Sequence, residues 1–379
     1  MRDIPPSFIE DISEFDFQQM DTPSFLFLEK TTNELFERAT RTAANLSTKD
    51  ITVTNAYSMK TNPDARIVQT AYESGFLAEA ISPLEVNKAL EVGFRPEQII
   101  LNGPGKWWHK EYLPKTPTHA VFCDSTADLK RVVEALKTQE LKAKIAGVRL
   151  RTPNITSRFG IPIDTPELFN TLIDSIKTLP RDCAFGIHFH MASSNVGVGQ
   201  WWHLFESMLR WCSSIEALAE RRIEVLDVGG GWFPDDRQED SDERFARAIE
   251  SVREYLPHVT QVISEPGKAL AQPSMALAMR ILEIQDFPGE AKEVVVDGSI
   301  AELPMYFFHP HRILHQNGRT GIWKSVGRGR THLLGRLCME HDVVASNIEL
   351  PTDAKAGDFL IFCDTGAYDR SMSYVFGRG

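Results

Sequence analysis

The sequence predicts an α/β protein: a (β/α)8 TIM-like barrel followed by a C-terminal all-β domain. Three observations carry this. Eight short apolar, β-branched runs alternate with amphipathic stretches over about 240 residues. After Pro266 the pattern breaks into short runs interrupted by Gly, Pro, Asn and Asp. The 379 residues exceed one ordinary domain and fit two, one of barrel size. The predicted organisation is an N-terminal segment 1–28 that pairs into the β domain, a barrel over 29–267, and a β domain over 268–379.

The first barrel strand is Ile51–Tyr57, alternating and β-branched, and Thr61-Asn62-Pro63 stops it and opens a helix. Phe76–Ile81, Gln98–Leu101, His119–Phe122, Lys144–Leu150, Ala184–His190, Glu224–Val228 and Thr260–Ser264 supply the other seven strands. Ser125–Leu136 and Trp202–Ala219 are amphipathic helices between them. The β domain is expected to use Ala278–Ile284, Glu293–Val296, Asp342–Val344 and Asp358–Phe362, joined by the early strand Ser24–Glu29. Residues 235–243, a run of mostly acidic side chains, read as an exposed loop.

Composition narrows the partners. Hydrophobic content of 42% with 25% charged residues describes a globular chain. Acidic residues outnumber basic ones 52 to 41, giving a net charge of −11 that disfavours nucleic acid. No apolar run approaches the roughly 18–20 residues that span a bilayer, so no membrane partner is expected. The N-terminus is acidic and proline-broken, unlike a signal peptide. Cys123, Cys183, Cys212, Cys338 and Cys363 are odd in number and lack CxxC spacing, which suits free thiols in a reducing cytoplasm.

Chemistry concentrates at strand ends. Lys60 follows the first barrel strand, at the C-terminal mouth where barrels keep reactive groups. A lysine fixed there can form a Schiff base with an aldehyde cofactor such as pyridoxal phosphate; otherwise it is a solvated strand-end lysine. Val228-Gly-Gly-Gly-Trp-Phe233 allows backbone amides to approach a phosphate, or forms a tight turn. In Ser264-Glu-Pro-Gly-Lys268 the carboxylate of Glu265 could face a pyridine nitrogen and keep it protonated; the alternative is a surface Glu at a Pro-Gly turn. His188 and His190 share a strand face. No second ligand pair follows at useful spacing, so a ring-stacking His190 with Ser193 on a phosphate is preferred to a metal site. His309, His311 and His315 are read as surface or subunit-contact histidines.

Taken in order, these motifs resemble the fold-type III pyridoxal-phosphate decarboxylases, which include diaminopimelate and ornithine decarboxylases. The residues that carry the resemblance are Tyr57-Ser-Met-Lys60, His190-Met-Ala-Ser193, Gly229-Gly-Gly231, Glu265-Pro-Gly-Lys268, Cys338 with Asp342, and Asp364-Thr-Gly-Ala-Tyr368. The resemblance covers roughly residues 20–376 and implies an alanine-racemase-like barrel and β domain with active sites shared across a homodimer. It implies Lys60 as the Schiff-base lysine, His190 stacked on the ring and Glu265 on the ring nitrogen. Ser193, Gly230, Gly231, Gly267, Lys268 and Tyr368 would surround the phosphate, with Arg149 and the Ser157–Gly160 turn on the cofactor side. Cys338 matches the cysteine that assists protonation from the partner subunit.

Departures from the pattern point to the substrate. Ala192 replaces a glycine, and Lys268 an arginine, which keeps the charge but loses the planar fork. Met339 stands where the family carries an acid for the distal amine of the substrate, with Glu340 one position along. Leu303–Phe308 supplies neither the arginine nor the aspartate that related enzymes use there, and the chain stops sooner after Tyr374-Val-Phe376 than the family usually does. The expected activity is therefore α-decarboxylation of an amino acid or conjugate, with Met339, Glu340, Asp342 and Phe308 on the substrate side and specialised metabolism as its setting. Two alternatives stand: an amino-acid racemase, disfavoured by Glu265 where alanine racemases use arginine, and a non-catalytic binding relative of the antizyme-inhibitor kind.

Overall fold

The computed structural model describes residues 5–153, 155–191, 198–231, 238–287, 291–309, 311–318 and 321–377. The chain divides into two compact units: Phe36–Ala269, and Met1–Leu35 together with Leu270–Gly379. The predicted fold class is borne out.

Strand β1 (Ser24–Phe27) precedes the larger unit, a closed parallel barrel of β2 (Thr52–Ser58), β3 (Leu77–Ala80), β4 (Ile99–Leu101), β5 (Thr118–Cys123), β6 (Ala143–Leu150), β7 (Ala184–Phe189), β8 (Val225–Gly230) and β9 (Gln261–Glu265). All eight coincide with predicted runs to within a few residues. Both faces of these strands are covered, so their sequences read as nearly unbroken apolar runs. Ala56, Leu77, Ile100, Ala120, Phe122, Ile145, Val225 and Ile263 form one buried cluster. Phe122 fits because Gly147 and Gly186 lack side chains: a Cβ on Gly147 would lie 2.7 Å from the Phe122 ring. Each fully buried side chain of this kind contributes about 1.5–3 kcal/mol.

The intervening helices start where the sequence caps them. Ser82, Ser125 and Thr165 accept backbone N–H bonds at the heads of Pro83–Val92, Thr126–Lys137 and Pro166–Ile176. Asp64 does the same for Ala65–Glu73. The acidic run departs from expectation: residues 238–243 open the helix Gln238–Tyr255 instead of forming a loop, while 235–237 lie outside the described residues. Acidic side chains in a first helical turn are favoured by the dipole, which composition alone does not reveal.

The second unit is a sheet built on β10 (Met275–Gln285), with β11 (Lys292–Val296), β12 (Ile313–Gln316), β13 (Trp323–Ser325), β14 (Gly327–Leu334), β15 (Val343–Glu349) and β16 (Phe359–Phe362). Strand β10 pairs antiparallel with β1 and β16 through its first half and with β11 beyond a bulge at Ile281–Glu283. Its alternation serves two cores: Leu277, Met279 and Ile281 face one, Ala276 and Ala278 the other. Strands β12, β13 and β14 were not foreseen. Gly327-Arg-Gly-Arg330 reads as a turn, and β13 is only three residues long. Among the described residues no helix is long and apolar enough to cross a membrane.

Candidate active site

The C-terminal mouth of the barrel collects charge that the strand interiors exclude. Lys60 stands two residues beyond β2, and its Nζ donates to Ser58 Oγ at 2.8 Å and to Glu79 Oε2 at 2.6 Å. Ser58 Oγ donates to the same carboxylate oxygen. Parallel pairing of β2 with β3 sets Ser58 beside Glu79, so strand register builds this corner. Glu79 is buried, with 1% of its side chain exposed, whereas Lys60 is 34% exposed. Burial pushes the Glu79 carboxyl upward, but the Lys60 charge, the two hydrogen bonds and Arg149 outweigh it and hold it below its ordinary value. The lysine amine is thus held against the Ser58–Glu79 corner.

Across the mouth, β7, β8 and β9 present His188, His190, Asp227 and Glu265. Pairing puts Arg149 beside His188, His188 beside Asp227, and Gly230 beside Glu265. Glu265 Oε2 lies 3.9 Å from His188 Nε2 and 4.0 Å from His190 Nδ1. Asn102 Nδ2 donates to His188 Nδ1 at 3.0 Å, which leaves His188 Nε2 buried without a hydrogen-bond partner. Glu265 Oε1 and Asp227 Oδ2 are likewise buried and unmatched. Burial, then their mutual repulsion and that of Glu79, raises Glu265 well above the usual carboxylate range. Burial also raises Asp227, to about 7, against the 2.9 Å hydrogen bond from Gly229 N–H. Burial and the positive charges of Arg149 and Lys60 push both histidines down, so they are neutral.

Close packing beside these groups depends on glycine. A Cβ on Gly230 would stand 1.9 Å from the Glu265 carbonyl oxygen, and one on Gly267 would lie 2.6 Å from Thr61 Oγ1. Gly229 and Gly231 have φ of +68° and +86°, the left-handed region that glycine enters freely. Gly230 N–H donates to His190 Nδ1 at 3.2 Å, which fixes the ring. Lys268 lies in the short helix Gly267–Ala271. Arg149 Nη1 is 3.8 Å from Asp124 Oδ1, and its guanidinium packs 5.2 Å from the Phe159 ring centre. Ser193, like Trp232 and Phe233, lies outside the described residues.

The structure therefore brings Lys60, Arg149, His190, Gly230, Gly231, Glu265, Gly267 and Lys268 into the barrel unit. Tyr368, Cys338, Met339, Glu340, Asp342 and Phe308 belong to the β unit. Cys338, Glu340 and Phe308 are exposed, Phe308 by 78%. Met339 packs partly against the β-unit core, and Tyr368, half-buried, adopts φ +68°. Asp342 differs from expectation. It is buried, and its two carboxylate oxygens accept N–H bonds from Ile300 at 2.9 Å and Leu337 at 2.7 Å. It shapes the loop that carries Cys338 through these two bonds. The three β-unit histidines are also corrected. His309 and His311 face buried Asp369 at 3.1 and 3.3 Å, and His315 meets Asp358 at 2.9 Å, so none is a free surface group.

Sequence reasoning missed Ser58, Glu79 and Asp227. A signal existed for two of them: Glu79 and Asp227 are each an acid inside an otherwise apolar strand, and Asp227 stands two residues before the first glycine of the run.

A family model, the pyridoxal binding domain of the pyridoxal-dependent decarboxylases, matches residues 33–272. The chain belongs to the pyridoxal-dependent decarboxylases. It is 29% identical to the probable chloroplastic diaminopimelate decarboxylase of Oryza sativa subsp. japonica, over 84% of this chain and 66% of that protein. It is 26% identical to the ornithine decarboxylase of Schizosaccharomyces pombe, over 84% and 74% respectively. The crystal structure of diaminopimelate decarboxylase from M. jannaschii in complex with L-lysine superposes with a TM-score of 0.79 at 19% identity, covering 95% of this chain and 85% of that one. The fold is thus that of the decarboxylases, and the family's cofactor is pyridoxal phosphate. The barrel mouth fits that group: an amine for its aldehyde, an unmatched buried acid for its ring nitrogen, and the glycine run 229–231, free of side chains, for its phosphate.

Proposed function

We propose that this protein catalyses α-decarboxylation of an amino acid or amino-acid conjugate. The observation that carries the reading is the unmatched, buried Glu265 carboxyl in the same barrel mouth as the anchored Lys60 amine. When bound, pyridoxal phosphate supplies a sink for the electron pair left on Cα as CO2 departs. Glu265 supports that chemistry through its raised pKa: it holds a proton that it can share with a pyridine nitrogen, becoming a carboxylate opposite a cation. Neutral His190, held by Gly230 N–H, offers a flat face for a ring without adding charge.

Lys60 would carry the cofactor, and Arg149, Ser193, Gly230, Gly231, Gly267, Lys268 and Tyr368 would surround it. Glu79 and Ser58 orient the lysine amine and accept its hydrogen bonds when it is free. Cys338, exposed on a loop pinned by Asp342, is the group we assign to returning a proton to Cα, entering from the second subunit of a homodimer. The setting proposed is cytoplasmic.

Substrate choice rests on Met339. A thioether bears no charge and accepts only weak hydrogen bonds, so it leaves a buried distal ammonium costly. Glu340, exposed, is the nearest acid in sequence. The preferred substrate carries an amide, a hydroxyl or a larger conjugated group at its far end, as amino-acid units in siderophore or peptide natural-product assembly do. Carboxyl-labelled amino acids and conjugates supplied to the purified holoprotein test the reading. Labelled CO2 is expected from at least one conjugated substrate, with ornithine, lysine and meso-diaminopimelate turned over slowly or not at all; a kcat/KM on the order of 10⁴ M⁻¹s⁻¹ for any of the three would refute the substrate reading. Interconversion of D and L forms without CO2 would replace this reading with a racemase.

A further inference from the structure

The β unit holds a cluster of groups that the decarboxylase reading does not use. His309 Nε2 and His311 Nε2 lie 3.1 and 3.3 Å from one oxygen, Asp369 Oδ2. All three atoms fall within 4.8 Å of one another. The cluster is enclosed: 10%, 2% and 0% of the three side chains are exposed. We propose that His309, His311 and Asp369 bind a divalent transition-metal ion, with zinc the best match to two imidazoles and one carboxylate.

The hydrogen bonds around the cluster separate this from an ordinary histidine–aspartate contact. His311 Nδ1 lies 3.0 Å from the Cys363 carbonyl oxygen, which can only accept. Nδ1 therefore carries the proton, and Nε2 of the neutral ring presents a lone pair. That lone pair is buried, makes no hydrogen bond, and faces a carboxylate oxygen 3.3 Å away. Two facing lone pairs require a cation between them. A backbone carbonyl on the outer nitrogen is also how metal-bound histidines are fixed and made more basic.

Asp369 is prepared in the same way. Its Oδ1 accepts the Met305 N–H at 3.1 Å, which turns Oδ2 toward the two imidazoles. The two His–Asp separations, 3.1 and 3.3 Å, fit a small ion. With metal–ligand bonds of about 2.0–2.1 Å in a tetrahedron, donor atoms sit about 3.3 Å apart. His309 Nε2, which as a neutral donor can hydrogen-bond Asp369 directly, would release its proton to bind. A metal here ties Met305–His309 to the helix Asp369–Met372, within one unit. It would fix the segments bearing Phe308 and Tyr368. Three protein ligands leave one tetrahedral position for a small further ligand such as water.

The rival occupant is a second proton on His311, giving an imidazolium between two fixed partners. Metal analysis of the holoprotein distinguishes them, with pyridoxal phosphate kept bound so that the other His–carboxylate group, His188, His190 and Glu265, retains its own ligand. The wild type, dialysed against zinc and then zinc-free buffer, should retain one zinc per chain with nitrogen and oxygen neighbours by X-ray absorption. Removing that zinc with a chelator should lower the melting temperature. Asp369→Asn preserves size and the Met305 contact, and His311→Gln preserves an amide donor to the Cys363 carbonyl. Each, with folding checked by circular dichroism, should weaken zinc binding about 100-fold or more. Zinc-free wild type whose melting temperature does not respond to added zinc would overturn the proposal. So would zinc retained equally in both variants.

Discussion

Gly230→Ala tests the construction of the barrel mouth without touching a titratable group. Gly230 sits at the end of β8, paired with Glu265 of β9. An added Cβ would lie 1.9 Å from the Glu265 carbonyl oxygen, 3.0 Å from its carbonyl carbon and 3.3 Å from its Cβ. The first contact is with backbone, so no side-chain rotation relieves it. Restoring an ordinary van der Waals distance of about 3.5 Å requires β8 and β9 to part by roughly 1.5 Å at the residue that carries the ring-nitrogen carboxyl. Overpacking of this kind costs about 1–3 kcal/mol or more in stability. A displacement of about 1 Å in a catalytic group costs on the order of 100-fold in rate. The expected result is a lowered melting temperature together with kcat/KM reduced about 100-fold and weaker binding of pyridoxal phosphate. Gly75→Ala is the control: its φ is +75° with no atom within 4 Å of an added Cβ. It should cost about 1–2 kcal/mol through backbone strain alone and leave the kinetics unchanged. Wild-type turnover and cofactor affinity in Gly230→Ala would refute the reasoning, because they would mean that the strands separate without disturbing the site.

Three further outcomes follow from the same geometry. Lys60→Ala should abolish the borohydride-reducible cofactor adduct; an adduct on another lysine, found by peptide mass spectrometry of the reduced wild type, would remove Lys60 from its role. Mixing inactive Lys60→Ala with inactive Cys338→Ala chains should recover part of the activity if sites are shared across a dimer, and no recovery in proven heterodimers would put both residues in one chain's site. The cofactor-free protein should lose stability with rising pH: burial raises Asp227 from 3.8 to about 7, so its favourable contribution is complete below pH 4 and lost as pH passes through 7. The change is worth up to roughly 4 kcal/mol for about three pKa units. Asp227→Asn should lessen the fall in melting temperature between pH 4 and 7 without abolishing it, because buried Glu265 and Glu85 are raised as well, and an unaltered slope would show that Asp227 is not among the groups titrating.

The barrel strands were legible because parallel strands buried on both faces must be apolar and β-branched, and Lys60, His188, His190 and Glu265 were legible because they punctuate strand ends. Their surroundings were not. Ser58 meets Glu79, His188 meets Asp227, and Gly230 meets Glu265 through inter-strand register. Register depends on barrel closure, which no local pattern encodes. In the β unit, distance along the chain hid the partners of His309, His311 and His315, which come from segments 43 to 60 residues away. The amide donors that hold Asp342 were not legible either, since Ile300 lies 42 residues away in sequence. Strand β14 was missed because arginines and glycines on a half-exposed sheet face resemble a turn.

The central claim is that Glu265 makes the barrel mouth a decarboxylation site. CO2 release by Glu265→Gln against wild type, on the best substrate and with bound pyridoxal phosphate quantified in both, tests it most directly. Gln keeps the size of the side chain and removes the proton that Glu265 can share. The account predicts cofactor bound in both proteins and CO2 release lowered by a factor of about 100 or more in the variant. Equal rates from the two proteins at equal cofactor occupancy would contradict it.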